Sequence, residues 1–334
     1  MAPFGEQYAG TINSAFTIAG RVLAGIAVAY SIQRMPRRPI DILHALVLGL
    51  LLLITLALAA LGRLERWQAS AAHYVLMLAI VFCVAQAVRR GWRGRFADVI
   101  TSFYPLVIVP QVFNSLQPLI TGIGLPNQDG TLIAIDQAML GGHHATVWLE
   151  RFVTPWLNDV MHLSYCTYYI FPLVVGVAMW RRSPEIARRF IFTAALAFYV
   201  SYIGYFLVPA RGPRTAQAQL YTLSTRTTPI STGIYDFLDG AEKTKDDVFP
   251  SGHNMITAVC LIAAWRFNRR IFWWLLPVAV MLAISTVYCR FHYVIDVIAG
   301  IILAFLTLPA GYRMYDRATR GTGSSPDATS GGQA

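Results

Sequence analysis

The charged residues of this chain are placed so that they leave long stretches with none, and that spacing constrains the fold more than any other feature. Ile42 to Gly62 gives 21 residues without a charge, Trp67 to Val88 gives 22 and Val99 to Gln128 gives 30. Val160 to Trp180 and Phe190 to Ala210 give 21 each, Val248 to Trp265 gives 18, Ile271 to Cys289 gives 19 and Val297 to Tyr312 gives 16. A helix needs about 20 apolar residues, at 1.5 Å each, to cross the hydrocarbon of a bilayer. Lipid admits only helices or closed barrels, and none of these windows alternates with the period of a barrel strand. The spacing therefore predicts an all-α integral membrane protein with eight spanning helices. Thr11 to Ser31 is a further apolar stretch with Arg21 at its middle. A charge there costs about 2.5–3.5 kcal/mol at the bilayer centre, so this stretch either spans as a ninth helix or lies in the interface. No basic segment precedes it, which fits a cleaved signal peptide poorly.

With 56% hydrophobic and 13% charged residues, the composition excludes disorder, collagen and disulfide scaffolds. The net charge of +10 taken alone would point to nucleic acid. The charges sort by side, however. The alternate loops Arg34 to Arg38, Arg89 to Arg95, Arg181 to Arg189, Arg266 to Arg270 and Arg313 to Arg320 hold 17 Lys and Arg, against 9 in the opposite set. The positive-inside rule puts the first set and the C-terminus in the cytoplasm. With acids counted, that side carries +12 and the other −1, so the basic excess reports topology and no nucleic acid partner is called for. A bacterial inner membrane is the expected location. Two long loops, Leu119 to Asp159 and Pro209 to Phe249, face the periplasm in this topology, and loops of that length in a compact protein usually carry function. The four cysteines match no metal or redox spacing and read as small apolar packing residues.

Three short segments place phosphate-type chemistry at the same outer surface. Val208-Pro209-Ala210-Arg211-Gly212-Pro213-Arg214 sets two guanidiniums, Arg211 and Arg214, on a stiff turn suited to phosphate oxygens. On these residues alone, Arg snorkelling from a helix end is an equal alternative. Phe249-Pro250-Ser251-Gly252-His253 opens a helix: Ser251 and Gly252 suit an anion at the exposed amides, and His253 would face it. Ser285 to Asp296 runs from one span into the next. His292 and Asp296 are four apart and expected on one helix face, where the carboxylate would keep one imidazole nitrogen protonated and free the other as a nucleophile. A His–Asp pair that merely caps a helix is the plainer alternative.

These segments resemble the type 2 phosphatidic acid phosphatase and vanadium haloperoxidase superfamily over roughly Val99 to Arg313. Pro250-Ser251-Gly252-His253 is similar to its second motif and His292 with Asp296 to its third, while Arg211 to Arg214 takes the place of its Lys-led first motif. Thr286 stands where the family's phosphatases usually carry an Arg, and the pattern is closer to inositol phosphorylceramide synthases. The resemblance implies a six-helix catalytic core over residues 96–315, an N-terminal membrane extension of two or three helices over 1–95, and a Gly/Ser-rich disordered tail over 316–334. It further implies a phosphohistidine mechanism without metal or cofactor. In it His292 attacks phosphorus, Asp296 orients His292, and His253 protonates the leaving alkoxide. Ser251, Gly252, Arg211 and Arg214 hold the phosphoryl oxygens. The substrates implied are a membrane lipid bearing a phosphate ester, with water or an alcohol as acceptor.

A phosphomonoester dianion gains more from each added cation than a diester monoanion. The missing Arg therefore tilts the expectation toward head-group transfer over a lipid phosphate or polyprenyl diphosphate phosphatase, with Arg290 able to compensate. Asp247, beside Asp246, and His144, beside His143, are candidate substrate contacts, Asp247 for a polyol acceptor. Equally, the acids read as a solvated approach to a helix and the histidines as plain surface. Asp136 lies in the same loop as the histidines. Phe272-Trp273-Trp274 reads as an interfacial anchor. A transporter or a non-catalytic scaffold is the alternative from another class, but polar groups gathered at one face fit an enzyme better than alternating access.

Overall fold

The computed structural model describes residues 38–320, so the stretch from Thr11 to Ser31 and most of the Gly/Ser-rich tail lie outside the described residues. The described residues are helical and contain no strand. Among the described residues, six helices are long and apolar enough to cross a membrane: α1 (Pro39–Ala60), α2 (Trp67–Arg89), the run Arg95–Phe113 made of α3 (Arg95–Phe103) and α4 (Pro105–Phe113), and three later ones given below. The uncharged window from Val99 to Gln128 is thus not one helix. Pro105 starts a new helix, and the remainder becomes α5 (Gln117–Ile123), where Gly124 at φ 72° ends the turn. The expected outer loop that follows is largely helical, with α6 (Asp129–Met139) inside it.

The window from Val160 to Trp180 is bent. It comprises α7 (Pro155–Cys166) and α8 (Phe171–Arg182), which form one span only if their 46° break is allowed. Pro172 at the start of α8 has no N–H to continue the ladder, which is why the bend falls there. Then come α9 (Pro184–Leu207), the loop helix α10 (Pro229–Ala241), α11 (Gly252–Phe267), α12 (Arg269–Tyr288) and α13 (Val294–Arg320). Of the eight expected spans, α11 is the short one at 16 residues, and α13 continues through Arg320, so Asp316 to Arg320 are helical.

α9 is the centre of the bundle. Residues on all sides of it are buried, among them Phe190, Ile191, Ala194, Ala195, Ala197 and Tyr202, as expected of a helix apolar all round. It packs against α13, α8 and α11. Small residues permit the approach: a Cβ on Gly311 of α13 would lie 2.7 Å from the Thr193 side chain of α9. α1 and α2 pair with each other at the flank and leave Leu46, Leu50 and Leu53 exposed, which is the lipid-facing pattern of a membrane helix. Polar ties fasten both to the rest: on α2, the Tyr74 hydroxyl donates to Ser115 O at 3.2 Å, and on α1 a network does the same. Arg38 pairs with Asp41 at 2.7 Å, Asp41 accepts from the Tyr104 hydroxyl, and His44 Nδ1 meets the Tyr199 hydroxyl of α9 at 2.6 Å. Trp273 and Trp274 are exposed at the start of α12, as an interfacial anchor requires. All four cysteines are free.

The alternation of helix direction brings the end of α9, the start of α11, and the junction of α12 with α13 to one end of the bundle. The three motifs therefore meet there.

Candidate functional site

The first motif leaves α9 at Leu207 and is held by Asp129, the first residue of α6. Its carboxylate accepts from the backbone N–H groups of Arg211 and Gly212, each at 2.9 Å, and from the Tyr293 hydroxyl at 2.8 Å. Gly212 has φ 84°, and a Cβ there would lie 2.8 Å from Phe291 O and 2.9 Å from Val248 Cγ2. Only glycine fits both the backbone conformation and the gap. The Arg214 N–H then donates to Arg290 O at 2.9 Å, which joins the first motif to the third.

In the third motif, α12 stops at Tyr288 and Arg290 takes φ 67°, a left-handed conformation that costs a residue with a Cβ about 1 kcal/mol. The N–H groups of Phe291 and His292 both donate to Thr286 O at 3.0 Å. His292 therefore lies in the turn before α13, not on the helix. The expected shared helix face is corrected to a turn that folds over the first turn of α13. Asp296 is fully buried there, accepts from the Tyr293 N–H at 2.8 Å, and lies 3.5 Å from His292 Nδ1. The nearer acceptor for Nδ1–H is Val248 O at 3.0 Å. Asp136 of α6 caps α13 by accepting from Val294 N and Ile295 N at 2.9 and 2.8 Å.

The second motif begins with a cis Phe249–Pro250 bond and enters α11. Ser251 is fully buried and caps α11 through Asn254, whose amide side chain also donates to Thr286 Oγ1 at 3.1 Å. Thr286 thus joins the capping network at the place where the family's phosphatases carry a cation. Gly252 faces the Tyr205 hydroxyl, which a Cβ would approach to 2.5 Å. His253 and His292 are both buried, with His253 Nδ1 3.2 Å from His292 Nε2. Because Val248 O takes the proton on His292 Nδ1, His292 Nε2 has a free lone pair and accepts from His253 Nδ1–H. Burial pulls the His292 imidazole down to about 4, against the opposing pull of Asp247 and Val248 O, which favours the neutral ring at neutral pH.

Around this pair lie Arg214, Glu242 and Asp247. Arg214 is mostly buried, pairs with Asp239 at 3.5 Å, has its guanidinium 5.2 Å from the centre of the Phe291 ring, and feels the charge of both Glu242 and Asp247. Burial, reinforced by the charge of Glu242, pushes Asp247 up to about 7, and burial raises Glu242 likewise. The remaining candidates lie elsewhere. Arg211 is 60% exposed and 3.4 Å from Asp246. Arg290 is bound by Glu150 at 2.7 Å and by Leu223 O at 2.7 Å, with its guanidinium 3.6 Å from the Tyr221 ring centre. His144 bridges Gln217 at 2.8 Å and Gln137 at 3.1 Å, and His143 is exposed. The residues that sequence reasoning passed over are Asp129, Glu150 and Glu242. For Asp129 a signal existed: with Asp136 it places acids seven residues, two turns, apart on one helix face.

The PAP2 superfamily model matches residues 130–310, just over half of the chain, and spans all three motifs. The chain belongs to the PAP2 superfamily. It is also similar to a PA-phosphatase related-family protein of Dictyostelium discoideum, 22% identical over 240 residues, which cover 61% of this chain and 44% of that protein. The chain thus matches less than half the length of this curated relative. No solved structure matches it.

Proposed function

We propose that this protein is a membrane-embedded enzyme that cleaves a lipid phosphate ester through a phosphohistidine on His292. The observation that carries this reading is the buried contact of 3.2 Å between His292 Nε2 and His253 Nδ1, with His292 Nδ1 tied to Val248 O. It gives a nucleophile with a free lone pair and an adjacent proton donor for the leaving oxygen. Asp296, 3.5 Å from Nδ1, stabilises the imidazolium that forms on attack. His253 then takes the proton of the acceptor as the intermediate collapses. Arg214 supplies the positive field for the phosphoryl oxygens.

The acceptor is an alcohol, so the reaction is head-group transfer between lipids of the inositol phosphorylceramide synthase type. Support comes from the cation count: Thr286 is a capping residue, Arg290 is occupied by Glu150, and Arg211 is exposed, which leaves Arg214, itself 3.5 Å from Asp239 and in the field of Asp247 and Glu242. That field suits a diester monoanion better than a monoester dianion. The positive-inside count supports a site on the extracytoplasmic face with a cytoplasmic C-terminus, and a bacterial inner membrane is the location proposed with it. Purified protein in detergent, given phosphatidylinositol with ceramide and, separately, phosphatidic acid or a polyprenyl diphosphate, tests the reading. Exchange of the head group is expected. Free phosphate from the monoesters without exchange assigns a phosphatase instead, and turnover of none of them removes the enzyme reading in favour of a transporter or scaffold.

A further inference from the structure

We propose that Glu242 is a positioning residue for His253, the carboxylate that feeds and recovers the proton which His253 passes to the leaving oxygen. The inference rests on the phosphoryl-transfer reading above. It starts from an unpartnered atom. His253 is 8% exposed, and its Nε2 is buried without a hydrogen-bond partner. Glu242 Oε1 lies 3.8 Å from that nitrogen, beyond a hydrogen bond, and accepts from the Tyr169 hydroxyl at 2.7 Å. The His253 ring is flanked by Tyr165 and Tyr168, with ring centres 4.6 and 4.3 Å away. Between those two rings, the free directions for His253 are toward His292 and toward Glu242.

His253 closes on the nucleophile: at 3.2 Å between the two nitrogens no phosphoryl group fits between them. Movement of His253 toward Glu242 uncovers His292 Nε2 and brings His253 Nε2 within hydrogen-bond reach of the carboxyl. The proton count requires the same partner. His253 carries its proton on Nδ1 and none on Nε2, so giving up Nδ1–H alone would leave an anionic ring. With Glu242 protonated, the step balances. His292 Nε2 forms a bond to phosphorus, the bond from phosphorus to the leaving oxygen breaks, and that oxygen takes the proton from His253 Nδ1. The Glu242 proton passes to His253 Nε2, which leaves a neutral imidazole and a carboxylate. In the second half the acceptor oxygen bonds to phosphorus and the P–N bond breaks. The acceptor proton goes to His253 Nδ1, and the Nε2 proton returns to Glu242. Burial, which raises the Glu242 carboxyl, favours the protonated starting state. The arrangement is two imidazole–carboxylate pairs facing each other, Asp296 with His292 and Glu242 with His253.

The test uses the full chain in detergent with Glu242→Gln, and compares an alkyl phosphate ester lipid with an aryl phosphate ester whose leaving group needs no proton. Loss of about 10²-fold or more in kcat on the alkyl ester, with less than about tenfold on the aryl ester and little change in KM, is expected. Partial recovery in Glu242→Asp is expected too. Equal losses on both esters, or no loss on either, overturn the proposal. Binding of inorganic vanadate adds a control on the resting charge: a protonated Glu242 is neutral, so Glu242→Gln should leave vanadate affinity within about threefold, whereas a resting carboxylate would repel the anion and its removal would tighten binding. Unchanged vanadate affinity in Glu242→Gln supports the proposal and clearly tighter binding overturns it. Should Glu242→Gln fail to fold, Tyr169→Phe, which frees the same carboxyl, is expected to give a smaller loss with the same dependence on leaving group, and a loss equal on both esters overturns the proposal. A parent chain that neither binds vanadate nor turns over any of these esters overturns the phosphoryl-transfer reading, and this proposal with it.

Discussion

Glu150, buried, and Glu242, largely buried, lie in the two long loops at the motif end, and their surroundings send them in opposite directions. Glu150 is closed: it pairs with Arg290 at 2.7 Å and accepts from Thr222 N and Oγ1 and from Leu223 N. Burial pushes its carboxyl up, but these donors and the Arg290 charge outweigh it and hold it below the ordinary range. Glu242 is open: it has the Tyr169 hydroxyl and, at 3.8 Å, an imidazole nitrogen without a partner, and burial raises it. A carboxylate closed in by donors and a cation is held ionised and fixes a loop, whereas one with few donors is pushed toward its protonated form. The Arg that sequence placed near phosphate belongs to the closed group, and the acid that sequence passed over belongs to the open one.

The largest effect that would break this contrast lies on the open side. His292→Ala is expected to abolish turnover, by about 10³-fold or more, with no fall in thermal midpoint; turnover that survives would remove the chemistry from this end of the bundle. Next is the closed side. Glu150→Gln leaves Arg290 buried beside a neutral partner and is expected to cost about 3–5 kcal/mol of stability, read as a lower midpoint in detergent. Catalytic rate per folded molecule should change little. A rate loss with unchanged midpoint would return Arg290 to the phosphate.

The pH dependence of stability sharpens the same comparison. For Glu150 the folded carboxyl lies below its ordinary value, so its contribution is present above that value, near pH 4.5, and is lost as pH falls through the folded value. Asp247, raised from 3.8 to about 7, has the opposite sign: its contribution is full below pH 4 and is lost as pH rises toward 7. Asp247→Asn should therefore raise the thermal midpoint at pH 8 relative to the parent and make little difference at pH 4. An unchanged midpoint at pH 8 would show that Asp247 is not strained by its burial. The smallest effect belongs to Arg211→Ala. With the side chain 60% exposed, less than about threefold on kcat/KM is expected, and a larger loss would bring Arg211 into the site.

Much of this organisation was legible along the chain. The uncharged windows mark α1, α2, α9, α12 and α13 closely, because a charge inside hydrocarbon is costly whatever the tertiary packing. The 30-residue window overshoots its span: the membrane-length run is Arg95–Phe113, which continues through Pro105, and the remainder turns off into the short α5. His253, His292 and Asp296 were found from motif spacing, and the fold brings them together. Arg290, two positions from His292, looked equally well placed, but its backbone turns at φ 67° and its guanidinium leaves toward Glu150, 140 residues away in sequence. Nothing local foretells that partner.

The sequence alone determined that the chain is an all-helical membrane protein, located the windows that hold its six membrane-length helices, and placed three polar motifs at one end, since these follow from the energy of charge in lipid and from helix length. The tertiary structure decided the rest. It made Asp129 the clasp of the first and third motifs, turned Arg290 into a loop anchor, and set Glu242 opposite the free nitrogen of His253. These roles depend on distances between segments far apart in the chain. A carboxylate or guanidinium acquires its function from which groups meet it when it is buried, and only the packed bundle fixes those groups.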